Sequence, residues 1–358
     1  MNSVPACLTA ILLLGSLTGC GEKPQAEETE TTSENVAANE RAAAAKLAPA
    51  TDPIEEEIEA FRTKTRVLYN NSNFDELEKI AEDARSSKAR FANGSWKLYQ
   101  FYAALVCDSD EPEEMWELHD QIHKAWIAAK PDSITARVAH ADFLVTHAWH
   151  ARGDGYADSV TPEGWKSFGI RLNRAAEILE KAQTLSAKDP YLWDVSISTG
   201  KGLSWEKPEF EAIIAQAVAQ EPKFFAVDIN RSLSLLPRWL GEPGDWEAYA
   251  QQASERQDGL GAEVYARIVI YLAGYHDNIF RETKASWPRT KEGLKLMRER
   301  YPDSLKILSQ IAKTATAAED REFAKASFDQ LGDVYLPSVW RKPERFIHYR
   351  NWAETGQW

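Results

Sequence analysis

Cysteine and basic side chains are scarce in this chain of 358 residues. It contains three cysteines, and its 42 lysines and arginines are outnumbered by 55 aspartates and glutamates, which gives a formal net charge of -13. Such a chain repels other polyanions, so binding to nucleic acid or to anionic lipid by charge attraction is not expected. Aromatic residues are plentiful by contrast, since 13 of the residues are tryptophan.

Complete catalytic motifs are also missing from the sequence. It has no glycine-rich phosphate loop, no nucleophile-elbow serine and no paired-cysteine metal site. The sequence therefore predicts no catalytic residue, no resident metal ion and no cofactor.

The apolar run at the start of the chain is too short to cross a membrane. Residues 4–16 form a run of about a dozen residues, whereas a membrane helix needs about 20. The run ends in Leu17-Thr18-Gly19-Cys20, which resembles the bacterial lipobox, although Met1-Asn2-Ser3 lacks the usual basic residue. We therefore expect residues 1–19 to be a lipoprotein signal peptide.

The lipobox resemblance implies that the thiol of Cys20 carries a diacylglyceryl group and anchors the protein in the cell envelope. Gly21 stands where an inner-membrane lipoprotein often has aspartate, so the resemblance favours the outer membrane, facing the periplasm. Cys7 lies in the predicted signal peptide, which leaves Cys107 without a cysteine to pair with. Cys107 follows an apolar stretch, so we expect a small buried residue rather than a reactive thiol.

Residues 20–52 are expected to form a disordered tether after the lipidated cysteine. They contain no aromatic residue and almost no large aliphatic one, so they cannot bury enough apolar surface to offset the entropy of ordering. Residues 53–358 are predicted to form the folded domain.

The folded domain is predicted to be all-α, because apolar residues recur at spacings of three and four and no run alternates with a period of two. One predicted helix follows Thr161-Pro162, with the core positions Trp165, Phe168, Leu172, Ala175, Leu179 and Ala182. Two preceding helices have the core positions Ile134, Val138, Ala141, Val145 and Ala148, and Met115, Leu118, Ile122, Ala125 and Ala129.

Prolines divide the helices into pairs. Pro190 and Pro222 are separated by about one tetratricopeptide repeat, and each follows a segment typical of the second helix of such a repeat. The other intervals are irregular. The sequence therefore predicts a degenerate, tetratricopeptide-like α-solenoid of antiparallel helix pairs.

A family resemblance covers approximately residues 149–352. It depends on Ala148-Trp149-His150-Ala151-Arg152-Gly153, Gly155-Tyr156, Glu163-Gly164-Trp165, Leu235-Leu236-Pro237-Arg238-Trp239, Tyr265-Ala266-Arg267 and Tyr301-Pro302-Asp303-Ser304. These segments are similar to a bacterial family of unknown function with tetratricopeptide-like helices. The resemblance implies an architecture and a bacterial setting, but no reaction.

Two groups of histidines have the spacing of metal ligands. His119 and His123 share a helix face, and Asp142 on the next helix is a candidate third zinc ligand. However, Asp120 stands at the position where a zinc-protease helix needs glutamate. His147 and His150 are a second candidate pair. Trp116 and Trp126 extend the face of His119 and His123, so the sequence favours packed or surface histidines over a metal site.

The loop at residues 152–158, between two predicted helices, is the best candidate for a binding surface. It combines arginine, carboxylate and aromatic groups on a glycine turn between two helices, and it matches a calcium loop poorly. The predicted partner-binding residues are Trp149, Arg152, Asp154, Tyr156 and Trp165.

The sequence thus predicts an envelope scaffold that binds an unknown protein or peptide. An α-helical ring enzyme acting on envelope polysaccharide and a purely structural spacer are the alternatives. A closed ring with a deep cleft lined by tryptophan and carboxylate would favour the enzyme, whereas a shallow groove in an open superhelix would favour the binding module.

Overall fold

The computed structural model describes residues 38–153, residue 155 and residues 157–358. The chain divides into two units, residues 1–46 and Leu47–Trp358. In the first unit, residues 38–44 are helical. The predicted signal peptide, Cys20 and the tether residues up to 37 lie outside the described residues.

The second unit is all-α. Its helices are α1 (Pro53–Asn70), α2 (Phe74–Ser87), α3 (Lys97–Ala103), α4 (Glu113–Ala129), α5 (Ile134–Arg152), α6 (Pro162–Gln183), α7 (Tyr191–Leu203), α8 (Lys207–Gln220), α9 (Ala226–Ser234), α10 (Asp245–Ser254), α11 (Ala262–Leu272), α12 (Ile279–Glu282), α13 (Trp287–Arg300), α14 (Leu305–Ala317), α15 (Arg321–Leu331), α16 (Pro337–Trp340) and α17 (Pro343–Thr355). Short 3-10 turns cover Ala157–Ser159 and Ala273–Tyr275. In the described part of the chain, extended pairing is confined to two isolated bridges, which confirms the predicted fold class. No described helix is both long and apolar enough to cross a bilayer.

Helices that follow one another along the chain pack as neighbours, and alternate helices also touch. α5 packs against both α4 and α6, and α7 contacts α5, α6, α8 and α9. α9 and α11 continue the same row of alternate helices. This pattern is the one expected for stacked helix pairs, and it is consistent with an α-solenoid.

Side-chain caps set the starts of the helices that surround the candidate site. Ser133 caps α5 by accepting a hydrogen bond from the N–H of Ala136 at 2.8 Å. Thr161 caps α6 by accepting one from the N–H of Gly164 at 3.0 Å, and a proline occupies the first turn of that helix. Both caps satisfy backbone donors that a helix start leaves unpaired, and the predicted start of α6 is confirmed.

The predicted core positions of α6 are buried with one exception. Phe168, Leu172, Ala175, Leu179 and Ala182 are buried, but Trp165 is 41% exposed, so its assignment to the core was wrong. The reason is that Gly164, not the tryptophan, faces α5: a Cβ atom on Gly164 would lie 2.9 Å from the carbonyl oxygen of Ala151. The predicted core positions of α5 are all buried.

The predicted core face of α4 was wrong. Leu118 is 45% exposed, and Ala125 and Ala129 are exposed as well. The buried face consists of Trp116, His119, His123 and Trp126. Two indoles carry more apolar area than the aliphatic residues on the neighbouring face, so α4 turns its aromatic face inward.

The helical array of the second unit curls until its first helix meets α14. Asp52 caps α1, and its other carboxylate oxygen accepts a hydrogen bond from the N–H of Lys306 at 2.8 Å. The ammonium group of Lys306 lies 2.6 Å from a carboxylate oxygen of Glu55. The N–H of Ala50 also donates to the carbonyl of Tyr335 at 2.8 Å. Residues 50–52, which the sequence assigns to the tether, therefore pack as part of the folded unit.

Candidate ligand-binding cleft

Three tryptophans from different parts of the chain meet at the C-terminal end of α5. The ring centroids of Trp149 and Trp239 are 5.3 Å apart and nearly perpendicular. Phe168 on α6 joins Trp149 and Trp165, because its ring contacts both indoles edge-on, at 4.9 and 5.6 Å. Edge-to-face packing of this kind stabilises an aromatic cluster beyond the area that it buries.

Three cationic side chains lie against these indoles. The guanidinium of Arg152 is 5.5 Å from the rings of both Trp149 and Trp165. The ammonium group of Lys201, on α7, is 4.9 Å from the rings of both Trp149 and Trp239. The guanidinium of Arg238 is 5.6 Å from the ring of Trp239. Attraction between a cation and an indole face is worth about 0.5 to 2 kcal/mol, more where water is excluded.

A cleft of about 680 Å³ opens beside this group. Its described lining residues are Ser109, Trp116, Thr146, Trp149, His150, Arg152, Gly153, Gly155, Ala157, Arg238 and Trp239. None of them carries a carboxylate, although the chain as a whole is strongly acidic. We call the cleft, together with Trp165 and Lys201, which contact its wall, the tryptophan cleft.

Arg152 holds the loop that forms one rim of the tryptophan cleft. Its guanidinium donates to the carbonyl oxygens of Gly153 and Gly155 at 3.1 and 3.0 Å. Gly153 ends α5 with a φ of +76°, a conformation that favours glycine. Two of the donors of Arg152 are therefore already used within the chain.

Lys201 and Arg238 keep their charges available. Burial and the nearby charge of Arg238 lower the pKa of Lys201 to about 8, while Asp194 opposes the shift, so the ammonium group is still protonated at neutral pH. Arg238 is exposed. In the described structure, neither cation has a carboxylate within ion-pairing distance.

A second group of polar side chains lies next to Lys201. Tyr191 donates its hydroxyl to Asp142 at 2.8 Å, and Asn230 donates to Asp194 at 3.1 Å. The ring of Tyr99 packs edge-on against Tyr191, with centroids 5.6 Å apart. We call Tyr99, Asp142, Tyr191, Asp194 and Asn230 the carboxylate surface.

Protein atoms surround both carboxylates of this surface on most sides. Burial raises the pKa of Asp142 to about 7, against the hydrogen bond from Tyr191, and the charge of Asp194 adds to the shift. Burial also raises the pKa of Asp194 to about 6, against the effects of Asn230 and Lys201. Asp142 on α5 is thus bonded to Tyr191 of α7, and it is not a ligand beside the histidines of α4.

The histidines form a packed layer between α4 and α5. His123 is completely buried, and its ring stacks parallel to that of His140 with centroids 5.6 Å apart. Trp116 lies against the rings of His147 and His150 at 4.8 and 4.6 Å. No group of three or more histidine, cysteine, aspartate or glutamate side chains in the described residues could hold a metal ion. The sequence-based interpretation of these histidines as packing residues agrees with this arrangement.

Cys107 is buried as a free thiol. Burial, with the nearby charges of Glu111 and Asp108, raises the pKa of the Cys107 thiol to about 11. The thiol stays protonated at neutral pH, as expected of a packing residue.

The structure brings together three of the five residues predicted from sequence. Trp149, Arg152 and Trp165 share the tryptophan cleft, whereas Asp154 and Tyr156 lie outside the described residues. Sequence reasoning missed Lys201 and did not connect Trp239 with the loop. The sequence signal for Trp239 was its place directly after a proline and an arginine, in Pro237-Arg238-Trp239.

Part of the chain is similar to a known protein family. A family described as a domain of unknown function (DUF4034) matches residues 62–193, which include Trp149, Arg152 and Trp165 but not Lys201 or Trp239. The match and the resemblance noted from sequence overlap in residues 149–193. No curated protein sequence matches the chain. The segment from α1 to the start of α7 is therefore similar to an uncharacterised family.

Proposed function

We propose that this protein is a lipid-anchored binding module that holds a protein or peptide partner of the cell envelope in the tryptophan cleft. The observation that carries the proposal is the convergence of Trp149, Trp239 and Lys201 beside an open cleft. Tryptophan and arginine dominate the energetics of protein interfaces when they are desolvated in a pocket. The cleft volume also falls within the range of about 300 to 1,000 Å³ of ligand sites.

The anchor in this proposal is the lipid on Cys20, with the protein at the outer membrane and facing the periplasm. Its support is the lipobox resemblance in the sequence. Replacing Cys20 with alanine should leave an unprocessed precursor without lipid. Mass spectrometry of the wild-type mature chain tests this. An unmodified Cys20 would contradict the lipid anchor and would have no bearing on binding in the cleft.

The binding role is tested with two tryptophan variants. Envelope proteins are captured on the wild-type chain, on Trp239→Ala and on Trp358→Ala, whose side chain is exposed at the C-terminus. We expect Trp239→Ala to lose the captured partner, because it removes an indole from the cleft wall, and Trp358→Ala to retain it. Equal capture by all three chains, at matched thermal stability, would favour a structural spacer.

The carboxylate surface favours a second candidate, an enzyme that acts on envelope polysaccharide. Hydrolysis of a glycosidic bond uses a protonated carboxyl group and an ionised one, and burial raises the pKa values of Asp142 and Asp194 towards neutrality. The curling of the helical array is a further point in its favour. Release of soluble sugar from envelope polysaccharide by the wild-type chain, but not by Asp142→Asn or Asp194→Asn, would establish this candidate instead.

A further inference from the structure

Lys201 and Arg238 of the tryptophan cleft form no ion pair with a carboxylate in the described part of the chain, unlike Arg85 and Arg256. Arg85 pairs with Asp189 at 2.6 Å, and Arg256 pairs with Asp228 at 2.6 Å. Within the described residues, Lys201 and Arg238 lie over aromatic rings, and Asp194 acts on Lys201 from beyond ion-pairing distance. Lys201 is partly buried, and a partly desolvated cation without an ion pair is costly, so a negatively charged group from outside the chain is favoured beside it. The exposed guanidinium of Arg238 adds a second positive charge at the cleft.

The arrangement of the rings indicates which kind of anion fits. Lys201 and Arg152 lie over indole rings of the cleft, so those rings are not open platforms on which a sugar ring could stack. What the cleft offers instead is charge and a donor group. The indole N–H of Trp239 is buried and has no acceptor among the described residues, so a ligand oxygen could supply one.

The net charge of the chain does not prevent this recognition. At physiological ionic strength the Debye length is about 8 Å, so the acidic residues beyond the cleft are largely screened from a ligand inside it. The guanidinium of Arg238 can bind a carboxylate through two hydrogen bonds, and the ammonium group of Lys201 acts as a point charge.

We propose that the tryptophan cleft takes an acidic peptide segment of the partner, whose carboxylates pair with Lys201 and Arg238. This inference rests on the proposed function, because it names the chemistry of the partner that the cleft would bind. The cleft volume of about 680 Å³ limits the segment to a few residues at a time.

The test is calorimetric titration of the full mature chain with hexaglutamate, hexaglutamine and an oligogalacturonate of similar charge. Hexaglutamate should bind at least about tenfold more tightly than hexaglutamine, as expected when charge supplies the recognition. Raising the ionic strength from about 0.01 M to about 1 M should weaken hexaglutamate binding, because the Debye length falls from about 30 Å to about 3 Å.

Two double variants show whether the cleft is responsible. Lys201→Gln with Arg238→Gln should weaken hexaglutamate binding by about tenfold or more. Lys181→Gln with Arg174→Gln removes the same charge from exposed positions on α6 and should leave the affinity nearly unchanged. Thermal melting of both variants identifies any loss that is due to unfolding.

Three results would overturn the inference: equal binding of hexaglutamate and hexaglutamine, equal losses in the two double variants, or tighter binding of the oligogalacturonate. Absence of hexaglutamate binding would do the same. The proposed function is judged separately, by partner capture on Trp239→Ala. A binding module that selects an uncharged segment would lose its partner in Trp239→Ala but would show no preference for hexaglutamate over hexaglutamine.

Discussion

The tryptophan cleft and the carboxylate surface lie side by side but differ in how burial affects the charged groups that they contain. Lys201 and Arg238 lie against aromatic rings, and the ammonium group of Lys201, with a pKa of about 8, is still protonated at neutral pH. Asp142 and Asp194 are enclosed by protein, and burial raises their pKa values to about 7 and about 6. Near neutral pH Lys201 therefore keeps most of its charge, whereas the carboxylate surface has lost part of its charge.

This difference shows that burial alone does not set the charge of a site. Indole faces stabilise a cation while leaving it free to meet an anion. Tyrosine and asparagine donors stabilise the ionised carboxylates only enough to oppose part of the cost of burial. The cleft is thus suited to binding an anion at neutral pH and below, and the carboxylate surface to exchanging protons near neutral pH.

The largest expected effect comes from removing the packing beneath both regions. Leu172 is fully buried on α6, and a Cβ atom on Gly202, next to Lys201, would overlap its side chain. Leu172→Ala should lower the free energy of unfolding by about 2 to 5 kcal/mol, because it leaves a cavity. Chemical denaturation measures this change. A loss of unfolding free energy below about 0.5 kcal/mol would show that Leu172 is not a core residue.

A second effect, of about 1 to 2 kcal/mol, concerns the histidine layer. Burial, then the charges of His140 and His119, lowers the pKa of His123 well below its usual value, while Asp120 opposes the shift. Below pH 6.5 the unfolded chain therefore takes up a proton that the folded chain excludes, and the stability falls as the pH is lowered.

The variant His123→Phe keeps an aromatic ring against Tyr69 and Phe143 but removes the titrating group. Denaturation at about pH 7 and about pH 5 should show a smaller loss of stability in this variant than in the wild-type chain. Equal losses in the two chains would mean that His123 does not titrate differently on folding.

Asp142→Asn tests the carboxylate surface. The stability that depends on Asp142 should change with pH in the opposite direction to the stability that depends on His123. Because the pKa of Asp142 is raised on folding, the folded chain holds a proton that the unfolded chain releases between about pH 4 and pH 7. The wild-type chain thus loses stability as the pH rises through that window, and the asparagine variant does not.

At about pH 8 the asparagine variant should be more stable than the wild-type chain by about 1 to 2 kcal/mol, a figure reduced for the water that still reaches the side chain. Denaturation at about pH 4, where both side chains are neutral, is the control. A variant that is less stable at both pH values would show that the ionised carboxylate is needed for packing.

The smallest effect tests the rim of the cleft. Arg152 donates to two loop carbonyls, so Arg152→Ala should lower the melting temperature by a few degrees, equivalent to about 1 kcal/mol. Partner capture should fall only in proportion to unfolding. If capture is lost while the melting temperature is unchanged, Arg152 contacts the partner directly, as the sequence first indicated.

Local patterns in the sequence predicted the elements that depend on local chemistry. The cap at Thr161 and the buried positions from Phe168 to Ala182 follow from hydrogen bonding and helical spacing within α6. The buried face of α4 was not predicted, because two faces were apolar and only packing against α1 and α5 chose between them.

The candidate site shows the same limit. Trp149, Arg152 and Trp165 are close in sequence, so a loop between two helices was enough to group them. Lys201 reaches the same place because α7 packs on α5, and Trp239 lies in the segment after α9, which packs on α7; no local spacing encodes either contact. The position of Asp142 was misjudged for a related reason, because its hydrogen-bond donor, Tyr191, comes from a helix two elements later.

The most direct measurement is site-specific photocrosslinking in living cells, with a photoreactive phenylalanine analogue placed at Trp239 in one chain and at Trp358 in another. The account predicts a discrete crosslink to an envelope protein from position 239, lost when Lys201 and Arg238 are both changed to glutamine, and no such product from position 358. No crosslink from position 239 in a folded, correctly processed chain would contradict the claim that the tryptophan cleft binds a partner.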